Sequence, residues 1–243
     1  MALRRVLSDA LTLLLEQPRI FLPRLIMTVL WSLFWIELIH GIKNPAALTV
    51  PQAQILLGFI LLMTPLQIWV YNSYFIIVRQ YHDGHVSLID AFRDGISRIL
   101  EGLGAFLLGF TASLVLGLPG ALLMAQGLVA SNILLITVGV IEIGFALIAT
   151  TILFYFVPAS VVLGENGFLH NLREGLQTGQ QYRREVTLLT LLTFGLLLLT
   201  TVLEGRLKTI GTIGFILGRA LSAIISVYLL IVNPKMFLQT GEH

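Results

Sequence analysis

Glu142 and Arg219 are the residues best placed to do chemistry, because each stands inside a long apolar run. A lone charge in hydrocarbon is costly. Ionisable residues within spans therefore pair with one another or line a path for an ion or substrate. The two lie about nine and about ten residues in from the same end of their runs, roughly 14 Å and 15 Å at the rise of an α-helix. This matched depth predicts an intramembrane polar pair, Glu142 with Arg219. Such a pair would either lock two helices together or carry a substrate or proton path. Glu37 and Glu204 stand near the ends of their runs and are expected to be hydrated.

Other chemistry finds little to build on. His82, Asp83 and His85 could share a metal, but the loop offers no further strong ligand. His170 stands in a second polar stretch and His40 near the far end of an apolar run. There is no His-Glu-x-x-His, no Gly-x-Ser-Gly and no glycine-rich loop with phosphate-cradling spacing. Cysteine is absent, which removes thiolate ligands, a thiol nucleophile and disulfides. The expectation is no catalytic residue, no metal site, no cofactor and no enzymatic activity.

The elements that must carry these residues follow from composition. Of 243 residues, 56% are hydrophobic and 12% charged, with a mean hydropathy of +0.91. Soluble domains carry about 25% charged residues, so this chain reads as an all-α integral membrane protein. Six apolar runs predict six transmembrane helices: Ile20 to Ile39, Gln52 to Val78, Gly102 to Ala125, Ile133 to Leu163, Val186 to Leu203 and Thr209 to Val232. Pro65, Pro119 and Pro158 are expected to kink or break their helices. A polar turn with Lys43, Asn44 and Pro45 joins the first two. Glu204, Gly205, Arg206 and Lys208 are expected to form another turn, and Asn233-Pro234-Lys235 to close the last span. Small residues at fourfold spacing, including Gly109 and Gly117 in the third run and Gly214 and Gly218 in the sixth, predict helix-packing faces.

Polar elbows separate these runs. Leu88, Phe92, Ile96 and Leu100 form an apolar line, with Ser87 as an N-cap and Asp90 three residues on. At an offset of 80 residues the stretch from Gly164 to Glu185 resembles it: Phe92-Arg93-Asp94-Gly95 meets Leu172-Arg173-Glu174-Gly175. Leu3, Leu7, Leu11 and Leu14 share one helical face at the N-terminus, which reads as a retained segment. These stretches predict two or three amphipathic helices lying at the membrane interface. Together they suggest a repeat of about 80 residues, with units 1–82, 83–163 and 164–243. In the N-terminal unit, Leu3-Arg4-Arg5-Val6-Leu7 matches the elbow core at its first two positions and its last. An alternative is that any amphipathic basic helix repeats this spacing.

Eleven Lys and Arg fall on the side of the termini and elbows, three on the other, and Arg219 within a span. The positive-inside rule then places both termini in the cytoplasm, in a cell membrane. The positive charge is mild, +2 overall, and scattered at span boundaries. It marks topology and excludes a nucleic-acid surface.

Two stretches, LGLPGALLM and VPASVVLGENGFLHNLREGLQTG, together resemble a prokaryotic superfamily of six-span membrane domains of unknown function. A related domain is fused to some glycerophosphodiester phosphodiesterases. The resemblance implies a single polytopic domain. It implies no phosphodiesterase activity, because in the fused proteins that chemistry belongs to a separate soluble barrel. The expected function is a non-enzymatic module that works with the lipid bilayer or a membrane-protein partner. The alternative is a small-solute transporter with its polar site at Glu142 and Arg219.

Overall fold

The computed structural model describes residues 3–41, 50–209 and 211–241, excluding the side chains of 35–41, 51–53, 208, 212–213 and 241. Among these residues the fold is helical, with no strand. The helices are α1 (Leu3–Glu16), α2 (Phe21–Gly41), α3 (Val50–His82), α4 (Leu88–Ser97), α5 (Ile99–Val129), α6 (Ile133–Leu153), α7 (Val157–Leu163), α8 (Phe168–Gln181), α9 (Arg183–Lys208) and α10 (Thr212–Gly241). A short 3-10 turn, Pro18–Ile20, precedes α2. The order short helix, long helix, long helix occurs three times, if α6 and α7 count as one helix broken at Phe154–Phe156.

Five helical stretches among the described residues are long and apolar enough to cross a membrane: Gln54–His82, Ile99–Val129, Ile133–Leu163, Arg183–Leu207 and Gly214–Thr240. At the rise of an α-helix each exceeds the roughly 30 Å of a hydrocarbon core. Their outward faces are rich in exposed leucine, isoleucine, valine and phenylalanine. These features fit a multi-pass membrane protein. The turn expected at Lys43, Asn44 and Pro45 lies outside the described residues, as do the side chains of Glu37 and His40.

Two boundaries differ from expectation. Helix α9 continues through Glu204, Gly205 and Arg206 to Lys208. A single glycine costs a helix only about 1 kcal/mol, too little to end it. The chain turns instead near Gly211, whose φ of +94° suits glycine alone. Likewise α10 runs through Pro234 to Gly241. One proline removes one backbone donor, and a long helix keeps its remaining bonds. Pro158 does sit at a break: α7 begins beside it, at Val157.

The helices group into two compact units. One comprises Met1–Ile99 with Gly195–Gln239, the other Leu100–Phe194 with Thr240–His243. Polar contacts tie the elements of the first unit. Tyr74 donates its hydroxyl to the carbonyl of Ile20 at 2.7 Å. Arg24, at the start of α2, donates from Nε to Ser226 Oγ at 3.0 Å and lies over the Tyr71 ring. Tyr81 donates to Glu16 Oε2 at 2.9 Å, and Gln239 donates to Asp9 Oδ2 at 3.3 Å. Interhelical hydrogen bonds in membranes contribute about 0.6 kcal/mol on average, so together they fix register more than they supply stability. In the second unit Ala105, Val157 and Val161 form a core closed by Phe154, Phe168, Leu172 and Leu176.

Candidate functional site

The elbow helices α4 and α8 are built alike. In α4 the buried residues are Ala91 and Gly95. In α8 they are Asn171, Gly175 and Gly179. The residue opposite the glycine is a serine in both. A side chain at Gly95 would strike Ser73 Oγ and press on the Ser73 backbone. One at Gly175 would strike Ser160 Oγ and the backbone of Val157. Both hydroxyls are satisfied within their own helices: Ser73 donates to the Trp69 carbonyl at 2.9 Å, Ser160 to the Val157 carbonyl at 3.0 Å. Each serine thus offers the glycine a small surface with its donor already used, and the backbones close in.

The packed face is thus distinct from the apolar line. Ile96 and Leu100 are exposed, and so are Ile89 at 83% and Leu169 at 76%. Ile89 and Leu169 occupy the same position in the two elbows. Arg93 and Arg173, one turn further along, are exposed as well. Asn72 fastens α4 by donating from Nδ2 to the carbonyls of Gly95 at 3.4 Å and Arg98 at 2.8 Å. Ser87 caps α4 by accepting from the Asp90 N–H at 3.4 Å. In α8 the cap position is Gly167, without a side-chain bond.

Helix α1 buries mostly large residues. Its buried residues are Val6, Ala10, Leu13 and Leu14, while Leu11 is exposed. Of the apolar line Leu3, Leu7, Leu11 and Leu14, Leu14 is buried, Leu3 and Leu7 are half-buried and Leu11 is exposed. Set by their first residues, the short helices align Leu7 with Phe92 and Leu172, Asp9 with Asp94 and Glu174, and Ala10 with Gly95 and Gly175. That register is one turn later than the N-terminal match read from the sequence.

Glu142 and Arg219 belong to different units, and each has its own setting. Glu142 lies on α6, where its Oε2 is buried without a hydrogen-bond partner among the described residues. It sits against Gly120 of α5: a Cβ there would collide with that oxygen and stand 2.7 Å from the Gly139 carbonyl. Gly120 and Gly139 are thus the point where α5 and α6 cross. Of the glycines expected to pack helices, Gly117 is in ordinary contact with Ala146, and Gly109 has nothing within 4 Å of its Cβ position. Gly214 is buried. Gly218 lies close to Glu204, 3.3 Å from its Cα.

Arg219 stands one residue beyond Gly218 and faces Glu204 across the α9–α10 turn, Nη1 to Oε2 at 3.6 Å. Its guanidinium lies over the Phe215 ring, 5.4 Å from the centroid. The sequence predicts Glu204 as a hydrated residue near the end of its run. The available signal was its numbering: Glu204 and Gly218 are each seven residues from Gly211, so a hairpin turning there sets them opposite. Thr201, Glu204, Gly205, Phe215 and Arg219 line a cavity of about 200 Å³. Among the described residues no group of three or more His, Asp or Glu side chains gathers to hold a metal. Comparison with protein-family models, with curated proteins and with solved structures gives no match.

Proposed function

We propose that this chain is a non-enzymatic polytopic membrane module that engages lipid headgroups through its short helices. One observation carries the reading. Both elbows bury a small-residue face and leave an aliphatic side chain, Ile89 or Leu169, exposed one turn before an exposed arginine, Arg93 or Arg173. An aliphatic group at that position enters the acyl boundary, while a guanidinium one turn away meets phosphate. Each basic residue near an anionic surface adds about 1 kcal/mol of attraction.

The wider arrangement in this reading has six spans, with α2 as the first, and three units of about 80 residues: 1–82, 83–163 and 164–243. The thrice-repeated helix order and the shared register of α1, α4 and α8 support the repeat. The Lys and Arg distribution supports cytoplasmic termini and elbows in a cell membrane. Membership of the six-span prokaryotic superfamily belongs to the same proposal.

The test exploits the absence of cysteine. Nitroxide labels at Ile89→Cys and Leu169→Cys, in vesicles containing phosphatidylglycerol, should report headgroup depth by their oxygen and nickel accessibility. The double variant Arg93→Gln/Arg173→Gln should retain less phosphatidylglycerol in native mass spectra. Labels as accessible to aqueous nickel as a free nitroxide, with unchanged lipid retention, would end the reading.

A further inference from the structure

The cavity between α9 and α10 draws on none of the elbow residues. Its two charged walls are incompletely satisfied. Glu204 Oε1 and Arg219 Nε are both buried and have no hydrogen-bond partner among the described residues. The charged atoms that do face each other stand at 3.6 Å, too far for a hydrogen bond. Yet the side chains keep an opening, 24% exposed for Glu204 and 38% for Arg219. Phe215 provides an aromatic wall beneath the guanidinium. Gly205, which also lines the cavity, is exposed, and a Cβ there would meet nothing within 4 Å. The volume is about 200 Å³.

A lone anion here would meet Arg219 but also the carboxylate beside it. A lone cation would meet the reverse. A group carrying both charges on a short linker satisfies both walls at once. We propose that this cavity binds one zwitterionic group, its anionic oxygens on Arg219 and its ammonium on Glu204. Arg219 lies eight residues from Gly211, roughly 12 Å from the turn at the helical rise. That depth is open both to a lipid headgroup and to a small solute. Phosphatidylethanolamine and free zwitterions share the required chemistry.

The experiment uses the full chain in nanodiscs, read by native mass spectrometry. The probes are phosphatidylethanolamine, phosphatidylglycerol as the singly charged comparison, and soluble glycerophosphoethanolamine and alanine. One zwitterion should be retained per chain, about tenfold in preference to phosphatidylglycerol. Retention of phosphatidylethanolamine alone assigns the lipid source. Retention of a soluble probe assigns the solute source. Arg219→Gln and Glu204→Gln should each weaken binding about tenfold. Gly205→Leu adds an aliphatic side chain at a residue lining the cavity and leaves both charged residues in place. It should abolish binding while leaving the unfolding temperature at or above that of the parent. If no zwitterion binds, if phosphatidylglycerol binds equally well, or if Gly205→Leu binds as the parent does, the proposal is overturned.

Discussion

Trp69 donates its indole N–H to the carbonyl of Phe92 at 2.7 Å, which ties the second half of α3 to the elbow that follows it. Tyr228 makes the corresponding contact to Leu7, O–H to carbonyl at 3.2 Å. Leu7 and Phe92 hold the same place in their short helices. The last long helix therefore holds the first short helix as α3 holds α4. A helical carbonyl keeps a second lone pair after its intrahelical bond, and an aromatic donor from the neighbouring helix uses it. Phe156 precedes Ser160 by four residues, as Trp69 precedes Ser73. It is fully buried, so an aromatic ring recurs where the donor does not.

Trp69→Phe should keep the ring and lose the bond. A loss of about 1 kcal/mol is expected, seen as a lower unfolding temperature in detergent. Amide exchange in 88–97 should also rise. Tyr228→Phe should do the same to residues 3–16, more weakly given its longer bond. Unchanged exchange in both short helices would show that these donors do not anchor them.

The helical, membrane-spanning character was legible because long apolar runs have one physical solution in lipid. The elbows were legible too, through Ser87 and through the Arg-acid-Gly core at Arg93 and Arg173. Their inward face was not. Hydrophobicity points to Leu88, Phe92 and Ile96, but close backbone approach is decided by what is absent at Gly95 and Gly175. In membranes small residues, not large ones, mark the contact face. Aligned on their first residues, the short helices set Ala10 beside Gly95 and Gly175. Glu204 was missed as the neighbour of Arg219 because the helix end was set at Leu203, which removed it from the hairpin.

Gly95→Ala and Gly175→Ala should separate side-chain from backbone crowding. At Gly95 the sharpest clash is with Ser73 Oγ, and the backbone atoms of Ser73 stand 3.1 and 3.2 Å away. At Gly175 the Val157 Cα is 2.9 Å away, which no side-chain change relieves. Overpacking of this kind costs about 1–3 kcal/mol. Ser73→Gly should recover most of the Gly95→Ala loss. Ser160→Gly should recover little of the Gly175→Ala loss. Equal rescue at both sites, measured by thermal unfolding, would contradict this packing.

The α5–α6 crossing should be equally intolerant. A Cβ at Gly139 would lie 2.5 Å from the Gly120 carbonyl and 2.7 Å from the Met124 nitrogen, both backbone. Gly139→Ala should therefore cost at least about 2 kcal/mol. Gly144, on the same helix, has nothing within 4 Å of its Cβ position. Gly144→Ala should be neutral or stabilise by up to about 1 kcal/mol. The pair differs only in position along α6, so similar unfolding temperatures for the two variants would remove the crossing.

Glu142 tests what a carboxyl group does beside that crossing. Its Oε2 is buried without a partner among the described residues, and its neighbour is Gly120. An ionised carboxylate so placed forfeits hydration without compensation. Glu142→Gln keeps the shape and removes the charge. The expected result is an unfolding temperature equal to or above that of the parent. Removing one partner of a buried ion pair instead costs about 3–5 kcal/mol. A fall of that size would mean that Glu142 keeps a cationic partner, and Arg219→Gln would then be measured alone and combined with it. Coupling between the two substitutions would support the pair that their matched depth in the sequence suggests.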